Sequence, residues 1–174
     1  MTQTMLATLA IVIAGSLAMQ QHTNRVHAEQ AIMRKEISTQ MLAVAIDRLE
    51  EIGQMAYDEA TFGNTRIYDA NSLTAPNSFN DDFQGNDVDD FDGVSMDTFR
   101  VSNNQYVWFE LETTVTYANE TTPDVSVGSR TKMKKATVRI WPKDTLGINM
   151  PGKLQVPDTV KLSQSFACGS WCDW

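Results

Sequence analysis

The sequence predicts an α+β fold: one long N-terminal α-helix, apolar in its first half, laid by its second half on a small antiparallel β-sheet head. Three observations predict it. No proline occurs before Pro76, and residues 1–56 are rich in Ala, Leu, Met, Gln, Glu and Arg, which are good helix formers. Residues 1–24 carry no charged side chain, while from Val26 onward apolar positions recur at helical spacing among charged ones. Beyond residue 97, apolar and polar residues alternate in Val- and Thr-rich runs, the mark of half-buried strands. With 174 residues the chain has room for one ordinary domain. It divides into the helix, 1–56, and a head, 57–174.

The helix begins with Met5–Met19, MLATLAIVIAGSLAM, whose only hydroxyls are Thr8 and Ser16. Met1, Met5, Leu6, Leu9, Ile11, Val12, Ile13, Leu17 and Met19 are its large apolar side chains and the expected contacts of an assembly core. Some 55 helical residues measure about 80 Å at 1.5 Å per residue. A head of this size cannot cover that length, so residues 1–24 are expected to be covered by other molecules, a bilayer or neighbouring helices. Ala7, Ala10, Ala14, Gly15 and Ala18 suit the close approach of helix backbones. A secretory signal needs a basic leading region, but the first base is Arg25. Arg25, Arg34 and Lys35 would also hold the head in the cytoplasm by the positive-inside rule. Both conflicts vanish if the chain is a mature product whose basic leader has been removed; an unprocessed membrane anchor is the alternative.

The second half of the helix carries Val26, Met33, Ile37, Met41, Val44, Leu49, Ile52 and Met55 on its apolar side. Met41, Val44, Leu49 and Ile52 are expected to pack on the sheet, with residues 26–56 lying against the head. Gly53, or the stretch near Gly63, ends the helix. Residues 63–97 read as loop. Tyr106–Tyr117 places Val107, Phe109, Leu111, Thr113 and Val115 on one strand face. Lys132–Trp141 alternates imperfectly through Met133, Ala136, Val138 and Ile140, and the two segments suit an antiparallel hairpin. Thr98–Ser102 and Thr159–Phe166 are weaker strand candidates, completing a sheet of about four strands.

The net charge of −8 argues against a nucleic-acid binder, which needs surplus Lys and Arg. Its source is local: residues 57–95 hold nine acids and one base. Six of those acids are aspartates in the loop 80–93, NDDFQGNDVDDFDG. Val88 breaks the ligand series of an EF-hand and no Glu follows at the required distance. Two readings stay open: a solvated turn whose aspartates cap backbone N–H groups, and a looser calcium site at Asp87, Asp89, Asp90 and Asp92. No other cofactor is expected. Cys168 and Cys172 in CGSWC read as a small disulfide loop in an exported protein, or as two free thiols. Trp141, Trp171 and Trp174 are expected in the core. Asn119-Glu120-Thr121 fits the glycosylation sequon. No Walker loop, GxSxG, HExxH or GxGxxG occurs. His22 and His27 both fall on the long helix without a nucleophile partner, so no enzyme is expected.

This layout resembles the type IV pilins and the related pseudopilins, which share an apolar start, one long helix, a variable loop, a small antiparallel sheet and often a C-terminal disulfide. Asp87-Val-Asp-Asp-Phe-Asp-Gly93 also looks like the DxDD(Y/F)xG stretch found after the helix in some pilin-like proteins. The resemblance implies a structural subunit of an extracellular helical homopolymer. Its partners would be identical subunits, prepilin peptidase and the pilus export machinery. Unassembled copies would wait in the inner membrane, and Met1 would be a processed, methylated terminus. The family's usual glutamate four residues after the mature first residue is absent; Met5 stands there, and no acid precedes Glu29. A type II secretion pseudopilin and a single-pass membrane-anchored binding domain are the rival readings.

Overall fold

The structure, a computed structural model, describes residues 2–61, 66–80, 85–102, 105–143 and 159–174. Helix α1 runs unbroken over Thr2–Gly53, about 78 Å at 1.5 Å per residue. It is followed by five strands: β1 (Ser95–Ser102), β2 (Gln105–Ala118), β3 (Ser126–Val127), β4 (Met133–Pro142) and β5 (Val160–Ala167). They form one antiparallel sheet in the order β1-β2-β4-β5, with the short β3 paired to the end of β2. The two weaker strand candidates are therefore β1 and β5, each starting within three residues of its expected place. The two-residue β3 was not expected; so short a strand has no periodicity to read.

One face of the sheet forms the core. The β2–β4 register sets Leu111 opposite Ile140, Thr113 opposite Val138, Val115 opposite Ala136 and Tyr117 opposite Lys134. All eight side chains are buried. Partly buried Val160, Leu162 and Phe166 of β5 extend this surface. Helix α1 lies on β4 and β5 and buries Ile37, Met41, Val44, Ala45, Leu49 and Ile52. The four expected packing residues, Met41, Val44, Leu49 and Ile52, are thus all core.

Helix coverage begins later than the spacing of apolar residues implies. Val26 and Met33 are exposed, and Ile37 is the first buried position. Only residues 37–53, about 25 Å of helix, lie in the core, because the sheet underneath extends no further. At the other end Gly53 closes α1, where an added Cβ would lie 3.1 Å from the Phe166 ring. The absent side chain lets β5 seat its aromatic ring against the helix terminus.

The expectation of core tryptophans is corrected. Trp171 and Trp174 are 38% and 39% exposed, and Trp141 is half-buried. Trp141 follows Ile140 on β4, so the alternation of a strand turns it away from the core. Trp171 sits in the loop between the two cysteines.

Cys168 and Cys172 are buried and paired at disulfide distance, with Cα atoms 5.8 Å apart. Backbone hydrogen bonds hold this loop in place: Ile67 N–H donates to Trp171, Asp173 N–H to Ile67, and Cys168 N–H to Lys132.

Met41→Ala is expected to cost the head about 2–5 kcal/mol, read by chemical denaturation of detergent-solubilised protein. Leu9→Ala should leave the same transition unmoved. Replacing both cysteines by serine is expected to cost at most about 2 kcal/mol, since so short a loop restricts the unfolded chain only modestly. A head that fails to fold without the bond would contradict that estimate.

Candidate functional site

The first half of α1 is a continuous exposed apolar surface. Met5, Leu6, Leu9, Ile11, Val12, Ile13, Leu17 and Met19 are between 51% and 75% exposed. Met1, the ninth residue expected in an assembly core, lies outside the described residues. The helix is long and apolar enough to cross a membrane, and none of that apolar window is buried by the rest of the chain. Its hydroxyls need no solvent. Thr8 Oγ1 donates to Thr4 and Met5 carbonyls, Ser16 Oγ to Ile13, and Thr23 Oγ1 to Met19. A polar side chain in an apolar environment must be satisfied in this way. Gly15 meets nothing within 4 Å on the side a Cβ would occupy. His22 and His27 stand exposed on the same helix. The first charges, Arg25 and Glu29, pair with each other at 3.0 Å.

The acidic segment is the second feature, and over Asp87–Phe91 it is not a solvated turn; residues 81–84 of the loop lie outside the described residues. Asp87, Val88, Asp89, Asp90 and Phe91 are all buried. Ala56, just past α1, bridges to the segment: its N–H donates to Asn86, and Val88 N–H donates to its carbonyl. Asp89–Phe91 then forms a single 3-10 turn. Gly93 has φ +68°, a conformation that a Cβ would strain, and its N–H donates to Thr113. Asp92 Oδ1 accepts from Val115 N–H at 2.7 Å. The segment thereby continues the edge of β2 beyond the point where β1 pairing starts. Arg48 of α1 stacks its guanidinium 4.5 Å above the Phe91 ring.

At the centre of this contact lies Lys134, with no exposed surface. Its ammonium donates to the Tyr57 carbonyl at 2.8 Å, to Asp58 Oδ2 at 2.9 Å and to Asp89 Oδ1. That satisfies its donors. The rings of Tyr57, Phe79 and Tyr117 surround Nζ at 4.7, 5.4 and 5.5 Å from their centroids. Tyr57 and Tyr117 give their hydroxyl protons to the Thr131 and Thr74 carbonyls. Burial raises both phenols above their ordinary pKa, and neighbouring negative charge adds to it. Asp58 is held by Ala60 N–H, Thr74 N–H and Thr74 Oγ1. Burial pushes the Asp89 carboxyl up despite the attraction of Lys134.

The calcium reading of Asp87, Asp89, Asp90 and Asp92 is corrected by this geometry. Among the described residues no three His, Cys, Asp or Glu side chains converge on a metal position. Asp89 turns to Lys134, Asp92 to Val115, Asp90 Oδ2 to Asn86 N–H, and Asp87 Oδ1 to Asp90 N–H. The capping half of the turn reading holds; its solvation does not. Lys134 stands in the strand pattern as an interruption of the apolar row. Ala136, Val138 and Ile140 set the inward phase of β4, and position 134 is in phase with them. The break in alternation marked a buried lysine. The sequon's Asn119 uses its Oδ1 to accept from Thr121 and Thr122 backbone N–H groups within a tight turn.

No family model, curated protein or solved structure matches this chain.

Asp87 provides a pH test. Its carboxyl is raised to about 7, first by burial and then by the charge of Asp89, and Oδ2 has no hydrogen-bond donor among the described residues. A raised carboxyl binds its proton more tightly in the folded state, so stability from this group falls as pH rises from about 4 to 7. Asp87→Asn is therefore expected to raise the melting temperature relative to wild type more at pH 8 than at pH 5. An equal effect at both would remove Asp87 as the source.

Proposed function

We propose that the chain is a structural subunit of an extracellular type IV pilus-like helical filament, assembled by bundling of the apolar N-terminal helices. One observation carries the reading: eight large apolar side chains on the uncharged first half of α1 stand more than half exposed, beyond the reach of their own head. Burying each is worth about 1.5–3 kcal/mol relative to water. Transfer from lipid to a helix bundle gains far less, because lipid tails are already apolar. One segment can therefore be stored in the inner membrane and later form a filament core that water does not dissolve. The self-satisfied hydroxyls of Thr8, Ser16 and Thr23 suit both settings.

On this reading prepilin peptidase and the pilus export machinery act on the subunit, which is lifted from the inner membrane to the cell surface. The absence of an acid before Glu29 means that no glutamate neutralises a neighbour's terminal amine. Register between subunits comes instead from apolar packing, with the open side of Gly15 admitting a neighbouring backbone. The head, its core sealed by the acidic segment, faces outward.

Shearing of cells tests the proposal. The protein should leave with surface fibres that pellet and are visible by electron microscopy. Ile13→Asp or Leu9→Asp should abolish the fibres while the head keeps its melting transition. Normal filaments from either variant would overturn the assignment. Retention in the membrane fraction without fibres would favour a single-pass anchored binding domain, and short periplasmic assemblies a secretion pseudopilin.

A further inference from the structure

The Lys134 cluster is chemically unusual as a resting ion pair. One ammonium faces two carboxylates, Asp58 and Asp89, all three side chains being 3% exposed or less. A third carboxyl, Asp87, is buried on the same segment. Burying ions is costly even when they are paired, and here acids outnumber the base. Three aromatic rings exclude water from Nζ.

The two carboxylates are not equivalent. Both oxygens of Asp58 are anchored by donors other than Lys134, at 3.0–3.3 Å. Asp89 accepts from Lys134 and from its own backbone N–H, and it sits on a 3-10 turn tied to Ala56 through Val88 and to β2 through Gly93. An amine and a carboxyl are thus held in contact in a dry site beside a fixed second carboxylate. Such positioning of reacting groups lowers the entropic part of a barrier, and a fixed neighbouring carboxylate is a proton carrier.

We infer that Lys134 and Asp89 condense to an intramolecular amide, with Asp58 carrying the proton. In the ion pair a proton passes from Nζ to the Asp89 carboxylate, leaving an amine and a carboxylic acid. Nζ attacks Asp89 Cγ, and the new C–N bond pushes the carbonyl electron pair onto oxygen. Asp58 takes a proton from the nitrogen and returns it to the Asp89 hydroxyl. That hydroxyl leaves as water when the C–O bond breaks. One ammonium and one carboxylate become one neutral amide plus one water; no oxidant or reductant is involved, and Asp58 ends as it began. The product removes two buried charges. It ties β4 to the segment that follows α1, whether or not the chain forms filaments.

Intact-mass measurement of the full-length protein tests this directly. After allowance for the Cys168–Cys172 bond, the wild type should be lighter than its sequence by one water. Tryptic digestion should leave Lys134 uncleaved and joined to the peptide that contains Asp89. The full sequence mass with Lys134 cleaved normally would overturn the linkage. Asp58→Asn, folded by circular dichroism, should show mostly the unjoined mass although both reacting groups remain. Complete joining in that variant would overturn the role given to Asp58. Lys134→Met should show the unjoined mass for its own sequence.

Discussion

An α-helix of 52 residues rises about 78 Å, and the sheet reaches only its final third. Everything outside the head follows from that mismatch. Positions 37–53 bury Met41, Ala45 and Ile52 completely. Positions 4–29 bury none. A helix apolar on all sides and uncovered by its own chain is stable only in lipid or among other helices. Its hydroxyls turn back on the helix, and charge begins only at Arg25. The chain is in effect two solubility regimes on one continuous helix.

Within the head, the organising contact is between β4 and the acidic segment. Lys134 occupies an inward strand position where an apolar residue would be ordinary. Its charge is met from two directions: Asp58 just beyond α1, and Asp89 on the 3-10 turn. The aspartates around it are each assigned a task, to Lys134, to Val115 N–H or to neighbouring turn amides. This explains why so acidic a stretch folds inward, and why Val88 and Phe91 between the acids are core residues. The segment then continues the β2 edge through Gly93 and Val94, so helix end, loop and sheet form one unit. Local acidity and burial coexist because the hydrogen-bond donors are supplied by backbone and by one lysine.

The C-terminal tail repeats the theme on a smaller scale. Cys168 and Cys172 are buried, and the loop between them hydrogen-bonds to Ile67. This draws the segment at Ile67 against the disulfide loop, which Cys168 N–H ties to Lys132 beside the start of β4. Trp171 and Trp174 flank the same region as partly exposed rings, and Lys132 lies 5.1 Å from the Trp174 ring.

What the sequence determined alone was whatever repeats locally. Helical spacing located α1 and its packing residues Met41, Val44, Leu49 and Ile52. Two-residue alternation located β2 and the inward row Phe109, Leu111, Thr113 and Val115. The absence of charge before Arg25 marked the half of the helix that the head leaves bare. Tertiary structure decided where that coverage stops, which tryptophans face water and what the acidic run does. The partners of Lys134 lie 76 and 45 residues away along the chain. No local pattern carries such a pairing, and a lysine in a strand reads as an interruption until the sheet places it opposite Tyr117 and beneath the 3-10 turn.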